Sequence, residues 1–195
     1  VLNDTRVTAV RIKGRKLTGG QVEALLLCKL GANRYEAMVK PGRRVDVGSE
    51  IVFGDGLLSA QVVERTVGGG RILQFSGEAD CDSIIDEMGE VPLPPYIYQK
   101  LYDRERYQTV YAQHGGSAAA PTAGLHFTPE LLEKINRKGI RVTFVTLHVG
   151  IATFRPVRCE NILDHEMHSE RIDLSPQSAE AINSCKGRVV VVGTT

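Results

Sequence analysis

The chain has 195 residues, of which 42% are hydrophobic and 24% charged, enough to bury the core of one large or two small domains. Its longest apolar runs, such as 189–192, are far too short to cross a bilayer, and no signal-peptide pattern opens the chain. The four cysteines, at 28, 81, 159 and 185, form no Cys-x-x-Cys pair, which argues against a zinc site and a disulfide framework. We therefore expect a cytoplasmic protein with reduced thiols and no membrane partner.

The net charge of +1 conceals an uneven distribution along the chain. Residues 1–44 carry ten Lys or Arg against three Asp or Glu, a net of +7, whereas residues 45–90 carry two against ten, a net of −8. Residues 91–195 carry a net of +2. A charge dipole of this kind can steer a polyanion onto one face of the protein.

Short β-like runs dominate the chain up to residue 77 and are separated by turn signals such as Thr-Gly-Gly and Gly-Asp-Gly. The predicted strands are 6–13, 21–30, 34–39, 50–53, 57–65 and 71–75. Six strands at this spacing predict a small closed barrel, a fold that leaves no unpaired strand edges. The glycines at 68–70 indicate a turn rather than a phosphate loop, because no helix follows them.

The pattern changes near residue 81. A short helix is predicted over 81–88, irregular proline-rich chain over 91–96, and a second helix over 103–112. Thr128 followed by Pro129 is typical of a helix N-terminus. This helix is predicted to bury a stripe of Leu131, Leu132 and Ile135 and to end at Gly139.

A strand over 140–149 follows, and Ser175-Pro176 predicts another helix start. The valine-rich run at 188–195 predicts a buried strand followed by small residues suited to begin a further helix. Strand, helix and buried strand in succession indicate an α/β architecture for this half. Both ends of the chain look cut, so we expect it to be part of something longer.

The five histidines all lie in the second half of the chain. His148 ends an apolar strand, where ligands gather in open α/β sheets, and its ring titrates near neutrality. It is therefore a candidate acid or base, the alternative being a structural histidine at the edge of the core. His126 follows the run SAAAPTAGL, whose tiny side chains indicate backbone brought close to a bulky group.

Two polar segments follow His148. The spacing of His165 and His168 is three residues, not the four of the zinc-protease motif, so a polar loop that binds an organic substrate is favoured over a metal site. Arg155 follows a bend and can clamp a carboxylate or phosphate with two hydrogen bonds. The alternative is an ion pair of Arg155 with Glu160 or Asp164 that braces the loop.

A row of cations marks the first strand of the barrel. Arg11, Lys13 and Arg15 alternate along it and so point to one face. Such a row suits a phosphate backbone, although it is also typical of a solvated barrel face. Possible neighbours are Lys16, Arg43 and Arg44.

Eight stretches occur in the order found in one known family. They are LNDTRV, KPGRRVDVGSEIVFGDG, PLPPYI, RYQTVYA, SAAAPTAGLHFT, FVTLHVGIATFRPV, HEMHSE and RVVVVGTT. Together they resemble the S-adenosylmethionine:tRNA ribosyltransferase-isomerase of the queuosine pathway, over nearly the whole chain. Two positions depart from the family pattern, Asp4 where Asn is usual and Ala152 where Gly is common, and no role is assigned to Asp4.

The resemblance implies an enzyme that acts on tRNA carrying 7-aminomethyl-7-deazaguanine at the wobble position. Such an enzyme uses S-adenosylmethionine as ribosyl donor, forms epoxyqueuosine, and releases adenine and methionine. The resemblance also implies an α/β domain, here residues 1–10 and 90–195 and incomplete at both ends, with an inserted six-stranded β-barrel at 11–89. We expect a monomer without a metal.

The same resemblance assigns candidate roles. The sulfonium acidifies hydrogens on the neighbouring ribose carbon, so a positioned base can remove one and start the loss of adenine. The catalytic candidates are His126 and His148, followed by Glu166 and His168. The substrate-binding candidates, with Arg155 for the methionine carboxylate, are Thr122, Ala123, Gly124, Gly150, Thr153 and Arg155. The tRNA-binding candidates are Arg11, Lys13, Arg15, Lys16, Arg43 and Arg44.

Two other functions stay open at this point. A non-catalytic RNA-binding β-barrel module would need only the basic strand and would tolerate loss of the histidines. A metal-dependent hydrolase would contain bound zinc or manganese.

Overall fold

The computed structural model describes residues 1–66, 68–76, 80–94, 97, 99, 101–150, 159–164 and 169–193. The chain forms two compact units. One unit is Thr8–Pro92, and the other combines Val1–Val7 with Leu93–Thr195. The domain boundaries expected from the sequence, near residues 10 and 90, stay a prediction.

A closed barrel of six antiparallel strands forms the Thr8–Pro92 unit. The strands are β3 (Val10–Lys16), β4 (Gln21–Gly31), β5 (Arg34–Lys40), β6 (Glu50–Phe53), β7 (Leu58–Arg65) and β8 (Arg71–Ser76). Their order around the barrel is β3-β4-β5-β8-β7-β6, and β6 pairs back onto β3. The predicted barrel is confirmed, and the bounds of its last five strands agree with the sequence prediction within one residue.

The first predicted strand, 6–13, is wrong because two strands share that stretch. β2 (Thr5–Val7) pairs in parallel with β9 (His114–Ser117), whereas β3 pairs with β4 and β6 of the barrel. Thr8 and Ala9 separate the two strands. The pattern of burial shifts at this break: Val7 and Ala9 are buried at alternate positions, but the next buried residue is Ile12 rather than residue 11.

Apolar side chains from all six strands fill the barrel, with Phe53 and Phe75 in contact at its centre. The predicted short helix is confirmed as α1 (Cys81–Met88), and its Cys81 and Ile85 belong to the same core. The side chain of Asp80 caps this helix by accepting the amide hydrogen of Asp82. These contacts join the helix to the barrel it follows.

Mixed sheets and few helices make up the other unit. In a three-stranded sheet, β1 (Leu2–Asn3) runs parallel to β10 (Phe144–His148), which pairs antiparallel with β11 (Arg171–Asp173). The two-stranded β2–β9 sheet accompanies it. The described helices are α2 (Pro129–Arg137) and α3 (Pro176–Asn183), whose N-caps, Thr128 and Ser175, are those predicted.

Two predicted elements of this unit are shorter in the structure. The helix expected over 103–112 is a single 3-10 turn, Arg104–Tyr107, because Gln108 is extended and its side chain bonds both the N–H and the C=O of Val7. The strand expected over 140–149 is limited to Phe144–His148, where β1 and β11 supply partners.

The buried stripe predicted for α2 is not buried. Leu131 is exposed and Ile135 half-buried, and Ile135 lines an open apolar groove of about 700 Å³ together with Ile140, Ile182 and Val190.

The run 188–193 is also not a buried strand, since Val190 is 66% exposed. Its backbone nonetheless meets the chain start: the Val1 amino group donates to the Val190 carbonyl, and the Val192 N–H donates to the Val1 carbonyl.

Candidate active site

His148 lies at the carboxyl end of β10, as expected for a ligand-facing side chain. Its ring is held by Thr5, whose Oγ1 is 2.9 Å from Nδ1 of the imidazole. Thr5 is only 1% exposed, so the hydroxyl is screened from solvent. The first strands of the chain thus fix the orientation of a ring that follows them by 143 residues.

Asn3 connects the backbone segments that carry these two side chains. Its Oδ1 accepts the N–H groups of Thr5 at 3.1 Å and of Leu147 at 3.0 Å. Its Nδ2 donates to the Leu147 carbonyl at 2.9 Å. A buried amide with three hydrogen bonds fixes Thr5 and the residue before His148 in one register.

Asp4 places a buried carboxylate in the same cluster. One of its oxygens accepts a 2.6 Å hydrogen bond from the Thr146 hydroxyl, and the other lies 3.8 Å from Nε2 of His114. Asp4 is 6% exposed, whereas the His114 side chain is 59% exposed. A buried carboxylate needs such polar partners.

The surroundings of His148 keep its ring neutral. Burial lowers the pKa of His148 below the ordinary 6.5, and nearby Arg171 and His114 lower this pKa further. The carboxylates of Asp4 and Asp173 act in the opposite direction on the pKa, but they do not outweigh burial. At neutral pH one ring nitrogen therefore carries an available lone pair, as a general base requires.

Glu170 lies just before β11 and contacts Gly150, which is one of the predicted substrate-binding residues. Its Oε1 accepts the backbone N–H of Gly150 at 2.7 Å. Gly150 follows His148 by two residues, so this bond sets the path of the chain as it leaves β10. A role for Gly150 in substrate binding stays a prediction.

The small residues of 117–124 pack mainly against their own chain. Ser117 donates to the Ala119 carbonyl at 2.7 Å and accepts the Val149 N–H at 3.0 Å, while 118–120 are buried. Gly124 is buried where a Cβ would collide with the Tyr111 hydroxyl. Packing within the protein thus accounts for these small side chains, and substrate binding by Thr122, Ala123 and Gly124 stays a prediction.

His126 stands apart from this cluster in its environment. It ends the 3-10 turn Thr122–His126, is exposed, and makes no side-chain hydrogen bond within the described part of the chain. No described contact brings it to His148. The remaining predicted residues, Thr153, Arg155, Glu166 and His168, lie outside the described residues.

Two cations of the basic barrel strand have carboxylate partners. Nζ of Lys13 lies 3.0 Å from a Glu90 oxygen, and Nε of Arg11 lies 3.4 Å from a Glu23 oxygen. The charge of these side chains is therefore partly compensated on the barrel itself.

Arg15 differs from its two neighbours on the strand. It is exposed and has no carboxylate within ion-pair distance among the residues described. It lines a groove of about 830 Å³ together with Lys13, Lys40, Glu23 and Asp55. The groove therefore combines three cations with two carboxylates.

The loop after β5 carries the other predicted cations. Arg43 and Arg44 are exposed there, and Nζ of Lys16 donates to the Arg44 carbonyl at 2.9 Å. Buried Arg71 holds this loop from inside, since its guanidinium donates to the carbonyls of Gly42, Val45, Gly69 and Gly70. The structure thus gives the positions of all six predicted tRNA-binding residues, and their role in tRNA binding stays a prediction.

Within the described residues, no three His, Cys, Asp or Glu side chains are grouped to hold a metal ion. No helix in that part of the chain is long and apolar enough to cross a membrane. The four cysteines form no disulfide.

Sequence reasoning missed most of the residues around His148. Asp4 was left without a role, and Thr5, His114, Gly116 and Glu170 were not candidates. The available signal was the Asn-Asp-Thr run at 3–5, three consecutive polar residues next to apolar Leu2. All three are buried in the structure, and they form a polar cluster because buried polar groups require partners.

Comparison with known proteins gives a family and a similar solved structure. The model of a family described as "Queuosine biosynthesis protein" matches residues 1–195. Among solved structures, the chain is similar to an S-adenosylmethionine tRNA ribosyltransferase from Thermotoga maritima, at 32% identity and a TM-score of 0.40. That match covers 76% of this chain but 39% of the Thermotoga chain, so the chain spans well under half the length of this relative. We draw nothing about fold or site from a TM-score this low.

Proposed function

The chain belongs to the queuosine biosynthesis protein family, and we propose that it takes part in transfer of a ribosyl group from S-adenosylmethionine to tRNA. The acceptor is the aminomethyl group of 7-aminomethyl-7-deazaguanine at the wobble position. The product is epoxyqueuosine, and adenine and methionine are released. The similarity to the Thermotoga protein, an S-adenosylmethionine tRNA ribosyltransferase, supports this assignment.

The observation that carries the proposal is the state of His148. Its ring is neutral, half-buried, oriented by Thr5, and placed at the carboxyl end of a strand. The reaction needs a base that removes an acidified hydrogen from the ribose carbon next to the sulfonium. His148 fits this role better than exposed His126, which has no partner to orient its ring within the described residues.

The charges around His148 also suit the donor substrate. S-adenosylmethionine carries a fixed positive charge on sulfur, and carboxylates close to that sulfur stabilise it. The carboxylates of Asp4 and Asp173 are close enough to His148 to act on its pKa, and Glu170 accepts the N–H of nearby Gly150. Arg155 remains the proposed partner of the methionine carboxylate, with Thr153, Glu166 and His168 as further candidates for the site.

For the tRNA partner, the proposal uses the barrel. Arg15 and its groove, with Lys16, Arg43 and Arg44 near the β5–β6 loop, present cations to a phosphate backbone. We further propose that the two compact units are an α/β domain and a barrel inserted into it. The parallel pairs β1–β10 and β2–β9 and the helices α2 and α3 support the α/β assignment.

The proposal is tested by adenine release. The chain is incubated with adenine-labelled S-adenosylmethionine and tRNA bearing the aminomethyl-deazaguanine base, and free adenine and the modified nucleoside are separated by chromatography. We expect adenine from the wild-type chain and at least a hundredfold less from His148→Gln, the lower end of the range for loss of a general base. The proposal is overturned if competent tRNA yields no adenine, or if His126→Gln abolishes release while His148→Gln does not.

A further inference from the structure

The Thr5 hydroxyl lies between two groups that it can bond at the same time. Its Oγ1 is 2.9 Å from Nδ1 of His148 and 3.4 Å from the backbone carbonyl oxygen of His114. Because Thr5 is 1% exposed, these two protein groups take the place that water would otherwise occupy. The hydrogen positions in this small network determine which nitrogen of His148 carries a proton.

Counting donors gives one arrangement that satisfies both contacts. A hydroxyl has a single hydrogen, and a carbonyl oxygen can only accept. The hydroxyl must therefore donate to the His114 carbonyl and accept a hydrogen from Nδ1 of His148. The reverse arrangement, with the hydroxyl donating to Nδ1, leaves the carbonyl contact without a hydrogen.

We propose that Thr5 is a positioning residue that holds neutral His148 in its Nδ1–H tautomer, so that Nε2 is the nitrogen that accepts the proton. The inference rests on the proposed function, in which His148 is the base. The proton removed from the ribose carbon binds the Nε2 lone pair, and the C–H bonding electrons stay on carbon. The resulting imidazolium keeps its Nδ1–H bonded to Thr5, so the ring does not reorient during the step.

Two further contacts restrict this arrangement. The Thr5 N–H is fixed by Asn3, which also bonds both backbone groups of Leu147, so the hydroxyl and the ring cannot move independently. Gly116 also lies against the ring, where an added Cβ would come within 2.9–3.2 Å of its Cε1, Nδ1 and Nε2 atoms. The hydrogen bond with Thr5 and the packing of Gly116 together limit the orientations open to the ring.

The tautomer is measured directly by long-range proton–nitrogen NMR of the ¹⁵N-labelled chain at a pH above the His148 pKa. The imidazole signal assigned to His148 should show the protonated type of nitrogen at Nδ1 and the unprotonated type at Nε2. In Thr5→Val, which removes the hydroxyl but keeps the shape, the signals should move toward the other tautomer. Protonation at Nε2 in the wild type, or identical tautomers in both proteins, overturns the proposal.

Kinetics of adenine release give a second readout. Thr5→Val should lower kcat at least tenfold with little change in KM, and the acid limb of the pH profile should move to lower pH because the imidazolium loses a hydrogen-bond acceptor. Thr5→Ser keeps the hydroxyl and should restore most of the rate. Thr143→Val is the matched control, since Thr143 bonds Ser178 instead. Equal rates for Thr5→Val and this control overturn the proposal.

The two failures are distinguishable. If the wild-type chain releases no adenine, the proposed function fails, and the NMR result still reports whether Thr5 sets the tautomer. If adenine is released but His148 carries its proton on Nε2, the function stands and the role of Thr5 is wrong.

Discussion

Gly116 lies against the imidazole of His148, at a distance that no side chain would permit. A Cβ on residue 116 would approach three ring atoms to 2.9–3.2 Å, and Gly116 has a φ of +140°. Glycine is therefore required there both by the backbone conformation and by the adjacent ring. The strand β9 thus supplies one wall of the His148 site.

Gly116→Ala should damage this site. The substitution strains the backbone and displaces the ring, so we expect a loss of about 1–3 kcal/mol in the free energy of unfolding, measured by urea denaturation. Gly139→Ala is the control, because Gly139 also has a positive φ of +72° but open space around it. An equal loss of adenine release in both variants would show that the ring contact is unimportant.

The stability of the protein should depend on the protonation of His148. Its pKa is lower in the folded chain than the ordinary 6.5, so between these values the unfolded chain binds more protons. Stability is therefore greatest above pH 6.5 and falls as the pH drops through the folded pKa.

Urea midpoints measured from about pH 5.5 to about pH 7.5 test this pH dependence. His148→Gln removes the titrating group, so the difference between variant and wild type should grow in favour of the variant at the acid end. A difference that is constant with pH would contradict the assigned pKa direction.

Arg71 should contribute strongly to barrel stability. Its guanidinium is 5% exposed and donates to four backbone carbonyls, which lose their donor in Arg71→Met. We expect the free energy of unfolding to fall by about 3 kcal/mol, together with weaker tRNA binding as the loop of Arg43 and Arg44 loosens. Arg65→Met, on the exposed pair with Asp46, is the control and should change stability little.

Arg15 should matter more for tRNA binding than Lys13. Lys13 has Glu90 as a partner at 3.0 Å, whereas Arg15 has no carboxylate partner within the described chain. Fluorescence anisotropy with labelled tRNA at several salt concentrations should show a larger affinity loss for Arg15→Ala. The slope of log K against log salt should fall by about 1 in that variant. If Lys13→Ala and Arg15→Ala lower the tRNA affinity equally, pairing with a carboxylate does not weaken the contact of a cation with tRNA.

The barrel was predictable because its information is local. Turn signals that contain glycine separate neighbouring barrel strands, whereas the start of β3, which follows Thr8 and Ala9, has no such signal and was missed. Helix starts at Thr128 and Ser175 were predictable for the same reason: each hydroxyl accepts an amide hydrogen within its own first turn, at 3.2 Å and 3.1 Å.

The site around His148 could be predicted only in part. Its strand-end position followed from the sequence pattern, but its partner Thr5 lies 143 residues away and is brought there by parallel strand pairing. The pairing of β2 with β9 joins residues more than 100 positions apart, so it is not encoded in a short run of residues. The exposure of Leu131 was missed because periodicity gives the apolar face of a helix but not what covers it.

The most direct test of the account is to locate the S-adenosylmethionine site by amide NMR. The ¹⁵N-labelled chain is titrated with S-adenosylmethionine, and the signals of 3–5, 114–117 and 148–150 are followed together with those of the barrel strands. We expect saturable chemical-shift changes in these three segments and none in the barrel core. Shifts confined to the barrel, or none at saturating ligand in the folded chain, would contradict it.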